Sequence, residues 1–210
     1  VWVSEIMLQQ TRVEAVKPFF ERFIKALPDV QALSEAPEDE LLKLWEGLGY
    51  YNRVRNMQKA ARVIMSEYGG DFPADYEKLL SLPGLGHYTA GAVSSIAFGI
   101  PMPAVDGNVL RVLSRVTASY EDVLKQSVKT AMEAEVKKII PADRAGDFNQ
   151  ALIEIGAIVC VPNGKAKCEI CPLAFLCEAY KKGIVDELPK KKVKKERRIE
   201  DRTILILKEG

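Results

Sequence analysis

The 210-residue chain is 48% hydrophobic and 28% charged, with a net charge of +1 at pH 7. That length supports one or two domains with a sizeable core, so no disulfide staples are needed, and no apolar run approaches the ~20 residues that cross a bilayer. Residues 181–210 carry eleven Lys/Arg against six Asp/Glu, whereas residues 1–180 carry nineteen against twenty-three. A nucleic-acid contact by that body must use local groups, because a global basic field is excluded.

In chain order the pattern is helix after helix, and strand alternation is nearly absent. Ser4–Leu8 reads as the end of a helix, with Gln9-Gln10-Thr11 as a joint. Thr11-Arg12-Val13-Glu14 has the capping-box pattern and predicts a helix to about Ala26 with an apolar stripe of Val13, Val16, Phe19, Phe20 and Phe23. Pro37 opens a helix stopped by Gly47 and Gly49. Another covers Tyr51–Glu67 and ends at Gly69-Gly70. Leu79–Leu82 leads through Pro83-Gly84-Leu85-Gly86 into a helix over His87–Phe98, and Asp106-Gly107-Asn108 starts one through Ser114. Lys125–Ile140 is helical. Asp147-Phe148-Asn149-Gln150 caps a helix that delivers Cys160, and Pro172–Lys182 is a last short helix. Pro189–Arg198 is a basic linker, and Thr203–Leu207 is the one convincing strand, read as the start of a further domain. The first residues, Val1-Trp2-Val3, lack a methionine and read as a piece of something longer. Trp2 and Trp45 are expected in the core.

All four cysteines fall within residues 160–177, as Cys160-x7-Cys168-x2-Cys171-x5-Cys177. Thiols so grouped indicate a metal or cluster site in a reducing, intracellular compartment rather than a disulfide framework. Structural zinc sites usually pair two short Cys-x2-4-Cys units. The uneven spacing here favours an iron–sulfur cluster, whose four corners are well separated, and leaves zinc as the rival.

Three further motifs carry chemistry. In Leu82–Gly86 two glycines let the backbone approach a ligand, and the helix that begins at His87 adds its N-terminal donors, a combination suited to phosphate. A tight helix–helix turn explains the same residues. Gly47–Asn56 sets Leu48, Tyr50 and Tyr51 beside Arg53 and Arg55, as a loop that wedges between bases would require. A helix C-cap with packed tyrosines is the plainer alternative. Two carboxylates stand out. Glu5 lies in an apolar helical stretch, where desolvation favours its protonated form, and Asp106 precedes a helix; together they could serve glycosidic cleavage. A solvated face and an ordinary N-cap are the alternatives.

Together these motifs resemble the helix-hairpin-helix DNA glycosylases that hold an iron–sulfur cluster, and among them the adenine DNA glycosylases. The carriers are Val1–Arg12 (VWVSEIMLQQTR), Glu46–Asn56 (EGLGYYNRVRN), Leu82–Gly91 (LPGLGHYTAG), Ala104–Val109 (AVDGNV), Phe148–Cys160 (FNQALIEIGAIVC) and the cysteines, covering about residues 1–188. The resemblance implies an all-α fold, with a six-helix barrel over about 1–102, a cluster domain over about 103–182, and a linker and truncated domain over 183–210. It implies base excision on duplex DNA carrying adenine opposite 8-oxoguanine or guanine, by a cytoplasmic, monomeric enzyme with no membrane partner. Glu5 would be the general acid and Asp106 the stabiliser of, or transient nucleophile toward, the sugar cation, positioned with Tyr88 and Asn108. Leu8, Val13 and Glu154 match the adenine pocket. Gln10, Thr11, Leu48 and Tyr50 match contacts beside the opposing base, and Arg53, Gly84, Gly86 and His87 would hold the DNA backbone.

Cys160, Cys168, Cys171 and Cys177 match the ligands of a 4Fe-4S cluster, although the first spacer here has seven residues where the family usually has six. Segments of the family on both sides of this chain, including the domain that reads 8-oxoguanine, would lie outside it. Two alternatives remain. An endonuclease III-like glycosylase/lyase would carry a Schiff-base lysine where this chain has Tyr88. A non-catalytic DNA-binding module with zinc or a labile cluster would release no base.

Overall fold

The structure, a computed structural model, describes residues 1–191, and within them the chain is helical with no strand. Asp122 and Lys190 form an isolated bridge. The strand expected at Thr203–Leu207 and most of the expected linker lie outside the described residues.

Helix α1 (Trp2–Leu8) buries Trp2, Ile6 and Met7. Helix α2 (Val13–Ala26) follows, but without the expected capping box. Its N-cap is Arg12, which makes no side-chain cap bond, and Glu14 instead accepts a hydrogen bond from Lys17 at 2.6 Å. The expected stripe is also shifted: Val16 and Phe23 are buried, whereas Val13 is 57% exposed because it borders an open cleft rather than the core. Helix α3 (Val30–Glu35), capped by Asp29, was not evident from the pattern; six residues are too few for a helical period to declare itself. Then come α4 (Glu38–Trp45) and α5 (Asn52–Tyr68), the latter closed by Gly69 in the left-handed region (φ +65°). Helix α6 (Tyr76–Ser81) and α7 (His87–Ala92) enclose the glycine hairpin, and α7 runs on as a π-helical turn over Val93–Ala97.

These segments share one core that includes Met7, Phe23, Leu41, Trp45, Met57 and Ile64. Trp45 is fully buried, packs edge-on to Phe23 at 5.9 Å and donates its Nε1–H to the Gly49 carbonyl at 3.0 Å. Both tryptophans lie in this core.

A second core gathers Val105, Val109, Val112, Val136 and Leu152. It is built from α8 (Gly107–Val116), α9 (Gln126–Ile139) and α10 (Ala145–Glu154). Helix α10 starts before the expected cap, with Arg144 as N-cap and Asp147 in the first turn, and extends as a second π-helical turn over Ile155–Val159. The expected helix over Pro172–Lys182 shrinks to α11 (Glu178–Lys181), because the preceding residues turn to present Cys168, Cys171 and Cys177.

Asn149 joins the two cores. It is 1% exposed; its Oδ1 accepts from Ala104 N at 3.0 Å, and its Nδ2 donates to Ser95 Oγ and the Met102 carbonyl, both at 2.8 Å. Gly91 lets the chain pass at that junction, since a Cβ there would lie 1.9 Å from the Pro103 carbonyl oxygen. Asn149→Ala removes three hydrogen bonds and leaves the buried Ala104 N–H without its partner, so urea denaturation should show a loss on the order of 3 kcal/mol.

Candidate active site

A cleft of about 770 Å³ opens where the two cores meet. Five stretches of chain line it: α1 with Glu5 and Leu8, the turn into α2 with Thr11 and Val13, α7 with Tyr88, the α8 N-terminus with Asp106 and Asn108, and α10 with Glu154. Each was singled out in the sequence, and the fold brings all eight to one place.

Glu5 is half-buried on α1, and Tyr88 reaches across from α7 to donate its hydroxyl hydrogen to Glu5 Oε2 at 2.8 Å. Burial raises the Glu5 pKa above the ordinary carboxylate value. The Tyr88 hydrogen bond opposes that shift, and the charge of Asp106 adds to it. Burial, followed by the neighbouring Glu5, pushes the Tyr88 phenol far up, so it stays a donor at any ordinary pH.

Asp106 is both an N-cap and a cleft residue, so the two readings of it are compatible. Its Oδ1 accepts from Asn108 N and Val109 N, and its Oδ2 from Asn108 Nδ2, all at 2.8 Å. Asn108 is held in turn: its Oδ1 accepts from Arg111 Nη2 at 2.9 Å, and Arg111 also donates to the Gly156 and Cys160 carbonyls. Gly156 permits this approach, because a Cβ there would lie 2.6 Å from Asn108 Cβ. The result is a carboxylate of fixed direction facing a half-buried carboxyl group across an open cleft. Such a pair suits a reaction that needs one proton donor and one anion beside a developing cation.

Ile96, Gln150 and Ala157 also line the cleft and were not singled out from the sequence. Gln150 lies one helical turn before Glu154, and that spacing was the available signal. Ile96 and Ala157 sit in the two π-helical turns, which leave no pattern in the sequence.

The residues expected to contact DNA separate into two sets. Gln10, Tyr50, Gly84, Gly86 and His87 are exposed. Gly84 has φ +82°, and a Cβ on it would lie 2.8 Å from Asn56 Cβ, so the hairpin needs glycine there twice over. His87 Nδ1 shares a hydrogen with the Tyr76 hydroxyl at 2.9 Å. Leu48 and Arg53 form the second set, with side chains turned inward. Leu48 is only 7% exposed and belongs to the first core. The Arg53 guanidinium points inward and donates to carbonyls on two turns, so it is not a free phosphate ligand.

The four cysteines are free thiols lining one small cavity with Arg115 and Tyr180. Arg115 is 5% exposed; it donates to Cys160 Sγ at 3.2 Å, while Cys177 Sγ donates to the Arg115 carbonyl at 3.4 Å. Between Cys160 and Cys168 the residues Pro162–Lys165 are exposed. Among the described residues no three or more His, Cys, Asp or Glu side chains are placed to hold a single ion.

A helical fold with a glycine hairpin and a two-carboxylate cleft defines a class, and the chain belongs to it: residues 3–141 match the HhH-GPD superfamily of base excision DNA repair proteins. Within that class its curated relatives include adenine DNA glycosylases, as the motifs had suggested. The chain is 40% identical to that of Buchnera aphidicola subsp. Baizongia pistaciae over 92% of its own length and 54% of the relative's. It is 45% identical to that of Mus musculus over 87% of its length and 35% of the relative's. The chain thus spans about half the length, or less, of these relatives. Among solved structures it resembles a thermostable thymine-DNA glycosylase at TM-score 0.74 and 31% identity, covering 86% of this chain and 83% of that one. It also resembles endonuclease III in a non-covalent DNA complex, at TM-score 0.73 and 30% identity, covering 87% and 84%.

Proposed function

We propose that this chain carries the catalytic core of a monofunctional adenine DNA glycosylase, acting on adenine opposite 8-oxoguanine or guanine in duplex DNA. The observation that carries the reading is the single cleft in which Glu5, Tyr88, Asp106 and Asn108 meet. The adenine DNA glycosylases among its relatives supply the substrate class.

An extruded adenine enters the cleft beside Leu8, Val13 and Glu154. The Glu5 carboxyl gives its proton to a ring nitrogen, N7, as the bond between the sugar C1′ and the base breaks and its electron pair leaves with the base. Asp106 faces the positive charge that develops at C1′, or bonds to it transiently. Water then adds to C1′, and its released proton restores Glu5. Tyr88 holds the Glu5 carboxyl in place, and Asn108 holds Asp106. The exposed turns around Gln10, Tyr50 and Gly84–His87 form the DNA-facing surface.

The test is base loss from duplexes carrying A opposite 8-oxoguanine, A opposite G, and thymine glycol. Adenine loss from the first two without strand nicking supports the reading; thymine glycol release or nicking points to a lyase. A lyase needs an amine, and the corresponding position holds Tyr88. Borohydride trapping should therefore give little covalent adduct with wild type and more with Tyr88→Lys. Efficient wild-type trapping would overturn the monofunctional assignment.

Cys160, Cys168, Cys171 and Cys177 would hold a 4Fe-4S cluster. Bound there, it would cross-link the loops between α10 and α11 without entering the reaction. Anaerobically purified protein should contain about four iron and four acid-labile sulfide per chain. Stoichiometric zinc without sulfide would replace this assignment.

A further inference from the structure

Arg53 was expected on DNA, and its actual placement suggests another role. Its Nη1 donates to the carbonyls of Ile6, Met7 and Gln9 at 2.9, 3.0 and 2.6 Å. Its Nη2 donates to those of Leu48 and Gly49 at 3.1 and 3.3 Å. The first three are carbonyls at the end of α1, so a cation from α5 caps a seven-residue helix that could not hold its own end. The other two belong to the turn before Tyr50. The same guanidinium lies 5.3 Å from the Trp45 ring centroid and 5.6 Å from that of Tyr50.

Both turns it fastens are strained. Gln10 (φ +59°) and Tyr50 (φ +49°) occupy the left-handed region without being glycine. Such residues are strained and persist only where surrounding contacts enforce them. Tyr50 is 65% exposed and Gln10 is exposed, whereas Glu5 and Leu8, within a turn of the capped end, face the cleft.

We propose that Arg53 is a positioning residue that joins the Tyr50 turn to the end of α1, so that contact with DNA at Tyr50 and Gln10 sets the place of Glu5 and Leu8 in the cleft. The proposal rests on the adenine glycosylase reading. It makes engagement of the opposing base a condition of chemistry rather than of binding. Lysine cannot substitute, because one ammonium with three donors cannot span five carbonyls on two turns.

The experiment uses the full-length protein as wild type, Arg53→Lys, Arg53→Met, Tyr50→Ala and the Arg53→Lys/Tyr50→Ala double variant. Single-turnover adenine release is measured on duplexes with A opposite 8-oxoguanine and A opposite G, alongside duplex affinity against salt. Arg53→Lys should bind with an unchanged salt slope but release adenine opposite 8-oxoguanine about 10²-fold more slowly, as expected when a reacting group is misplaced by about 1 Å. Its preference for 8-oxoguanine over G should fall, and adding Tyr50→Ala should cost little more. Equal loss on both duplexes, or additive losses, would overturn the proposal. So would a salt slope reduced by about one in Arg53→Met, since that marks a phosphate contact.

A second measurement needs no Arg53 variant and no catalysis. Removing the Tyr50 ring should speed amide exchange at the end of α1 in Tyr50→Ala relative to wild type, and unchanged exchange there sinks the clamp. If wild type releases no adenine, the functional reading fails, and exchange alone judges the clamp.

Discussion

Glu5→Gln is expected to bind a duplex with adenine opposite 8-oxoguanine about as tightly as wild type and to lose single-turnover release of adenine almost entirely. Adenine leaves poorly as an anion, so protonation is the step that lowers the barrier most. A positioned general acid is commonly worth ~10²–10⁴-fold, and among the described residues no other carboxyl group shares the hydrogen bond with Tyr88. Near-wild-type release would leave Glu5 as a face residue and remove the mechanism. The same variant carries a stability signature. The folded pKa of Glu5 is raised, chiefly by burial. A carboxyl group with a raised pKa contributes stability that is fully present below its unfolded value and is lost as pH rises through the folded value. At neutral pH the charged form is therefore a burden, and Glu5→Gln should unfold at a higher temperature than wild type. Below about pH 4, where both are neutral, the difference should vanish. Wild-type activity should fall as pH rises through the raised pKa.

Asp106→Asn is expected to cost ~10²–10³-fold in adenine release, because an amide cannot offset the developing charge at C1′. The fold should survive, since Asn is also a good N-cap. The amide nevertheless fits badly. With its oxygen toward the Asn108 and Val109 N–H groups, its nitrogen faces Asn108 Nδ2, a second donor. Turning the Asn108 amide would only aim its nitrogen at Arg111 Nη2. The pH profile supplies an independent check. Asp106 is one of the influences that raise the Glu5 pKa, so its removal should move the alkaline limb of any residual activity to lower pH. Full activity in Asp106→Asn would reduce the aspartate to a cap. Losses in the two variants should not add, since both act on one transition state.

Much of this molecule was legible because its signals are local. Gly69, Gly84 and the Asp106 cap mark turns through backbone geometry that neighbouring residues cannot alter. The cysteine spacing marks a site because four thiols within residues 160–177 have little room to be apart. Glu5, Tyr88 and Asp106 were nameable from short motifs, each containing only a few residues.

Other features depended on partners distant in sequence. Thr11 matched a capping pattern, yet the helix begins after Arg12, because the preceding turn is held from α5. Val13 matched an apolar stripe, and only the position of α10 across the cleft makes it a cleft residue rather than a core one. Leu48 and Arg53 sit in an aromatic, basic loop that reads as a DNA contact. Burial turns Leu48 into the core, and carbonyls 44 to 47 residues away turn the guanidinium inward. The sequence by itself determined the helical class, the hairpin and the cysteine group, since each follows from residue type and short spacing, and it singled out Glu5 and Asp106, which the fold brings to one cleft. Only the tertiary structure decided that Tyr88 binds Glu5, that Asn149 joins the two cores, and that Arg53 faces the protein. Those outcomes depend on which buried polar groups would otherwise lack partners, and that becomes defined only once the chain has packed.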